Sequence, residues 1–117
     1  MMKVKTTIKM LDEHGKAFFG NGPYRLLLNI EQTKSISKAA KEMNMAYSKA
    51  FNMVKTAESA LGFDLVVSEI GGKDGGGSRL TAKAKALLDG FSKVNREIEV
   101  KTKTLYDCHI APVIEKD

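Results

Sequence analysis

Apolar positions in this chain change their period several times, and each change marks an element. From Lys3 to Leu11 they alternate, with Val4, Thr6, Ile8 and Met10 on one side and Lys3, Lys5, Thr7 and Lys9 on the other. That period of two predicts a strand with one wet face. Asp12 to Gly15 reads as a turn and Ala17-Phe18-Phe19 as the returning strand. Gly20-Asn21-Gly22-Pro23 breaks the chain, with Asn21 or Gly22 placed to cap a helix that begins at Pro23. The period then becomes helical. Leu26, Leu27 and Ile30, with Pro23 one turn back, predict a buried stripe on a helix from Pro23 to Gln32. Ser35 is a natural N-cap for a second helix, Ile36 to Met43, and Asn44-Met45 is a short turn that Asn suits. A third helix is predicted from Ala46 to Leu61, stopped by Gly62. Leu65 to Ile70 is β-branched and reads as a strand. Gly71 to Ser78, with five glycines in eight residues, reads as a mobile loop, and Arg79-Leu80-Thr81 as the return strand. Thr81 then caps a long helix predicted from Ala82 to Tyr106.

That last helix poses a packing problem. Ala84, Leu87, Phe91, Val94, Ile98 and Leu105 recur at alternating spacings of three and four, broken once by Lys101. About 25 residues of helix span about 37 Å, more than a small helical core can cover. Its far half must meet a partner or remain an exposed apolar seam. A two-fold dimer through Leu87, Phe91, Val94, Ile98 and Leu105 is the economical solution. The alternative is that the helix folds back on the first one.

Two helices joined by a tight turn form either a DNA-reading helix-turn-helix or a plain helical hairpin. Ala39 and Ala40 are small where the two helices would cross, and Ile36, Met43, Met45, Ala50 and Met53 fall where the core contacts of such a unit belong. The third helix opens with Tyr47, Ser48, Lys49 and Asn52 on its outward side. A recognition helix needs such donors in its first turns, because those turns enter the major groove. The strand–glycine loop–strand that follows has the place of a wing. Backbone without a Cβ can approach phosphate closely, and Lys73, Ser78 and Arg79 add donors there. Ser35, Ser37, Lys38 and Lys55 complete the set of expected phosphate contacts. An uninvolved flexible turn is the alternative reading of the glycines.

Composition mainly excludes. Lysine and arginine number 19 against 14 acidic residues, a net charge of +5 that permits an anionic partner without demanding one. A single cysteine, Cys108, leaves no internal disulfide and suits a reducing cytoplasm. Two histidines, His14 and His109, are too few for a zinc module, and the six methionines fall mostly around the helical core as gap filler. No apolar run reaches the length of a membrane span. The glycine loop has the spacing of a P-loop, but Gly77 stands where the lysine belongs, and Arg25 stands where a dinucleotide fingerprint needs its third glycine. No Ser/His/Asp, Cys/His or paired-carboxylate arrangement is evident, so no enzyme activity, cofactor or metal is expected.

The helix pair opening Ser35-Ile36-Ser37-Lys38-Ala39-Ala40, then Tyr47, then Gly71-Gly72-Lys73-Asp74-Gly75-Gly76-Gly77-Ser78-Arg79-Leu80-Thr81, resembles the N-terminal domain of ModE-type molybdate-responsive transcription regulators. That domain is a winged helix-turn-helix related to the LysR type. The resemblance runs from Phe19 to Phe91, and the glycine wing ending in Arg-Leu-Thr is its most specific part. It implies an N-terminal β-segment, a recognition helix starting near Ala46, a wing at the glycines and dimerisation through the last helix. Three departures count. Ala46 replaces a usual serine that would cap the recognition helix, Asp74 replaces a usual glycine at the wing tip, and the oxyanion-binding domains of the full regulators are not in this chain.

The expectation is therefore a mainly α protein with small β elements. It is a single winged-helix domain with a β-arm over 1–20, helix-turn-helix and wing over 21–81, and a long dimerisation helix and tail over 82–117. Expected partners are double-stranded DNA, with a role in transcription regulation, and a second copy of the chain. No membrane and no molybdate site are expected. Asp74, Ala46 and the modest charge favour the runner-up, a dimeric adaptor that uses the same fold to bind another protein.

Overall fold

The computed structural model describes residues 2–69 and 77–115. Two short strands open it, β1 (Met10–Leu11) and β2 (Ala17–Phe19), antiparallel and irregular in register. The turn between them is built by Asp12, whose Oδ1 accepts from the backbone N–H groups of His14 and Lys16 at 2.8 and 2.9 Å, with Gly15 at φ +81°. The predicted strand over residues 3–11 shrinks to its last two residues. β2 is only three residues long and has no room to pair with the rest, so residues 2–9 have no regular structure.

Helix α1 (Asn21–Thr33) buries Leu26, Leu27 and Ile30, as its period requires. Its N-cap is Gly20, without a side-chain bond, rather than Asn21 or Gly22. Both of those lie inside the first turn, because the helix starts two residues earlier than Pro23 suggested. It ends on Lys34 in the left-handed conformation, φ +60°. The next residue, Ser35, caps α2 (Ile36–Glu42) by accepting from Lys38 N–H at 3.0 Å. Asn44 turns the chain at φ +53°. Helix α3 (Tyr47–Leu61) follows, its cap Ala46 making no side-chain bond and its end set by Gly62 at φ +81°. The small Ala39, Ala40, Ala50 and Ala57 are buried where α1, α2 and α3 close on one another, which lets the backbones approach.

Strands β3 (Val66–Glu69) and β4 (Gly77–Leu80) pair antiparallel, Val66 opposite Leu80 and Glu69 opposite Gly77. The connection between them, with Lys73 and Asp74, lies outside the described residues. Two contacts hold this hairpin to the helices and a third closes its base. Glu58 of α3 is 8% exposed, and its Oε2 accepts from Leu65 N–H at 2.8 Å and Val66 N–H at 3.2 Å. Ser78 N–H donates to the Lys34 carbonyl at 2.9 Å. Thr81 N–H donates to the Leu65 carbonyl at 2.9 Å. Thr81 then caps α4 (Ala82–His109), accepting from Ala84 N–H while its own hydroxyl donates to the Asp64 carbonyl at 2.8 Å.

Ala84, Leu88 and Phe91 of α4 complete the core. Phe91 meets Phe19 edge-on at 5.1 Å between ring centroids and Tyr24 at 5.2 Å. This corrects the expected dimer seam in one respect: Phe91 belongs to the core of its own chain, and Leu87 is half-buried against that core. Spacings of three and four describe an apolar helix face equally well whether the partner is the same chain or another. The far half of α4 leaves the core. Val94, Ile98 and Leu105 are 46%, 39% and 45% exposed. The molecule is accordingly elongated, 65 × 31 × 24 Å. A short α5 (Ala111–Ile114) turns back so that Tyr106 is buried, its hydroxyl 3.4 Å from Glu115 Oε2. No helix among the described residues is long and apolar enough to cross a membrane.

Burial alone would raise the Glu58 pKa. The hydrogen bonds from Leu65 and Val66, with Lys55 beside it, outweigh burial and hold it below the ordinary 4.5. A carboxylate depressed in the folded state stabilises the fold above its unfolded pKa, and that stability is lost as pH falls through the folded value. Glu58→Gln should therefore flatten the acid limb of stability below about pH 4.5. Glu58→Ala, which strands the buried Leu65 N–H and the half-buried Val66 N–H, should cost about 1–3 kcal/mol at neutral pH, both measured by urea unfolding across pH.

Two glycines should respond oppositely to alanine. A Cβ on Gly77 would lie 2.7 Å from the Lys34 carbonyl oxygen, backbone against backbone, so Gly77→Ala should destabilise by about 1–3 kcal/mol. Gly90 lies inside α4 with nothing within 4 Å of the added carbon, so Gly90→Ala should stabilise by about 0.5–1 kcal/mol. Thermal melts of the two variants test the pair.

Candidate nucleic-acid interface

Helix α3 buries Ala50, Val54, Ala57 and Glu58, so these residues set which way the rest of the helix points. With this face packed, Ser48, Asn52, Lys55 and Ser59 project from the opposite side and all are exposed. Lys49 is exposed on one flank, and Tyr47 is exposed at the first helical residue, in line with the buried Ala50 and Val54 three and seven positions on. The predicted base-edge donors Ser48, Lys49 and Asn52 thus share the accessible half of one helix in its first two turns, and Tyr47 stands exposed at its start.

The expected phosphate contacts are dispersed and differently employed. Ser37 and Lys38 are exposed in the first turn of α2. Ser35 is half-buried, and its hydroxyl is the cap of that helix. Ser78 is half-buried, and its backbone N–H is committed to the Lys34 carbonyl. Arg79 is exposed, with its Nε 2.9 Å from Glu69 Oε1. Lys55 stands 3.2 Å from Glu58 Oε1 and 5.3 Å from the centre of the Phe51 ring. Lys73 lies outside the described residues. Two of the basic side chains therefore already have carboxylate neighbours, which lowers the field they can offer a phosphate.

The structure adds two features that the sequence reading passed over. One is Phe51, exposed on α3 and stacked against Tyr47 at 5.9 Å between centroids. Its signal was available: it sits four residues after Tyr47 and one step off the buried Ala50–Val54 stripe. The other is a groove of about 760 Å³ beside α3. The arm residues Ile8 and Lys9, then Phe18 and Asn21, form one wall, and Ser48, Lys49, Asn52 and Met53 form the other. Nothing local in residues 2–9 signals that they lie alongside α3, since that placement depends on how β2 packs on the helix.

The geometry is that of a helix pair with a tight turn, a donor-bearing second helix and a strand hairpin pinned behind it. Comparison with known proteins agrees. The family model described as bacterial regulatory helix-turn-helix protein, lysR family, matches residues 23–85. The chain is 34% identical over 83 residues to the transcriptional regulator ModE of Haemophilus influenzae, covering 71% of this chain and 32% of that protein. It is 33% identical over 81 residues to the molybdenum-pterin-binding protein MopA of Rhodobacter capsulatus, covering 69% and 31%. With the molybdenum transport protein ModE of Azotobacter vinelandii it shares 31% over 83 residues, covering 71% and 29%. The chain spans about a third of the length of these relatives. The matched region runs from α1 through the wing into the first turn of α4, the part of the molecule that carries the exposed donors, and on this the chain belongs to the lysR family of bacterial regulatory helix-turn-helix proteins.

Proposed function

We propose that the chain binds double-stranded DNA sequence-specifically, as a homodimer in the cytoplasm, and so regulates transcription. The observation that carries the DNA reading is the set Ser48, Lys49 and Asn52, exposed on the first half of the second helix of a regulatory helix-turn-helix. Asn52 has the bidentate amide that suits adenine, and Ser48 and Lys49 suit several base edges or phosphates. Tyr47 sits at the first helical residue, where its hydroxyl can reach a phosphate or a base. Ser37, Lys38 and Arg79 would fix register on the backbone.

The dimer rests on α4. Val94, Ile98 and Leu105 continue the apolar series past the point where the core ends, and water is a poor partner for that face. A second α4 packed on it would hold two copies of α3 in a two-fold arrangement, suited to a palindromic site. The adaptor reading draws support from one observation, the carboxylates beside Lys55 and Arg79.

Fluorescence anisotropy on random and genomic duplexes separates the two readings. DNA binding should weaken with salt at a slope of about −0.9 per phosphate neutralised. Lys38→Ala should weaken all sequences about equally, whereas Asn52→Ala should change the preferred sequence. Failure to bind any duplex at low salt would favour the adaptor.

Light scattering tests the seam. Wild type should be a dimer at micromolar concentration, and Ile98→Glu, which would bury an unpaired charge, should give folded monomers. A monomeric wild type would end the dimer proposal. In the dimer, half-site centres should lie about 34 Å apart, one turn of DNA.

A further inference from the structure

Three side chains one helical turn apart form a ladder along α3. Tyr47 is 52% and Phe51 37% exposed, and their rings stack at 5.9 Å with 23° between planes. Lys55 lies over Phe51, 5.3 Å from its centre, and is itself held 3.2 Å from the buried Glu58 carboxylate. Glu58 in turn is fixed by Leu65 and Val66 N–H. Phe51 is therefore a positioned ring on an exposed surface. It cannot turn inward, because the helix face beneath is filled by Ala50 and Val54, both buried.

Leaving an aromatic ring in water forgoes the stabilisation its burial would bring, so a partner surface with an apolar element is indicated. The ladder borders the donor face: Ser48 lies three residues before Phe51 and Asn52 three before Lys55, so each pair is adjacent on the helix surface. A major groove has one apolar group on its base edges, the 5-methyl of thymine, and a Phe side chain is a known type of contact for it. Hydrogen-bonding groups on the neighbouring residues would address adjacent base edges, leaving the ring to the methyl.

We infer that Phe51, positioned by Tyr47 and Lys55, is a specificity-determining residue that reads the 5-methyl group of a thymine in the bound DNA. The inference rests on the DNA-binding reading above and names what this part of the helix selects. Lys55 then acts as a positioning residue for the ring, held between it and Glu58, as well as a cation near the backbone.

The test isolates one methyl group. Duplexes that the full chain binds are selected from a random pool, and each thymine of the selected site is replaced singly by deoxyuridine. That change removes the methyl and leaves the hydrogen-bonding edge intact. Wild type should lose about fourfold in affinity at one or two positions, the effect expected of one buried methyl. Phe51→Ala, with fold checked by circular dichroism, should show no penalty at those positions. It should still respond to base changes at other positions. Phe51→Leu, which keeps an apolar side chain and guards against a folding defect in the alanine variant, should retain part of the penalty. Equal wild-type affinity for every deoxyuridine duplex, or an undiminished penalty in Phe51→Ala, overturns the inference while leaving DNA binding intact. A pool that yields no bound duplex overturns the DNA-binding reading and this inference together.

Discussion

The carboxylate of Glu58 joins the two parts of the molecule that have to keep a fixed relation, the exposed helix and the hairpin behind it. It sits on α3, three turns from Tyr47, and takes the backbone N–H groups of Leu65 and Val66 where the chain enters β3. Burial disfavours its charge, yet two amide donors and Lys55 keep it ionised. The same carboxylate fixes Lys55, and Lys55 lies over Phe51. A single acidic side chain therefore sets the entry of the wing and steadies the surface of α3. Its neighbourhood is tightened by Thr81, which ties the start of α4 to residues 64 and 65 through its hydroxyl and its N–H. The Lys34 carbonyl makes the third tie, closing on Ser78 N–H so tightly that Gly77 has no room for a Cβ.

With the wing fixed in this way, α4 leaves the core at a defined angle and serves two purposes along its length. Ala84, Leu88 and Phe91 bury against α1 and β2, and the Phe19–Phe91–Tyr24 cluster anchors that end. Beyond Phe91 the core has run out, and Val94, Ile98 and Leu105 face solvent. A helix of 28 residues is about 42 Å long, whereas helices α1 to α3 have only 13, 7 and 15 residues. The elongated shape follows from this mismatch. The apolar stripe continues with the same spacing on both sides of the point where its own chain stops covering it.

Much of the architecture was written in local signals. Ser35 and Thr81 cap the helices that their positions announced, Gly62 ends α3, and Asn44 takes the left-handed turn. These are interactions between residues a few positions apart, so the sequence contains both partners. The errors have the opposite character. The period-two run over residues 3–11 became a strand only at Met10–Leu11, because a strand needs a neighbour and β2 supplies three residues. Phe91 went to the core instead of the seam, because a spacing of three and four does not say which surface lies opposite.

The candidate interface divides along the same line. That α3 would present Ser48, Lys49 and Asn52 outward follows from helical period and the small apolar residues between them, which the chain specifies alone; Tyr47, in line with Ala50 and Val54, is exposed because it opens the helix. Only the tertiary structure decided that the Ser78 N–H is spent on the Lys34 carbonyl, that Arg79 stands against Glu69, and that residues 7–9 line a groove beside α3. Each of these depends on groups far apart in the chain being brought within a few ångströms. Periodicity and capping describe which face a residue is on; they carry no information about what the fold places opposite it.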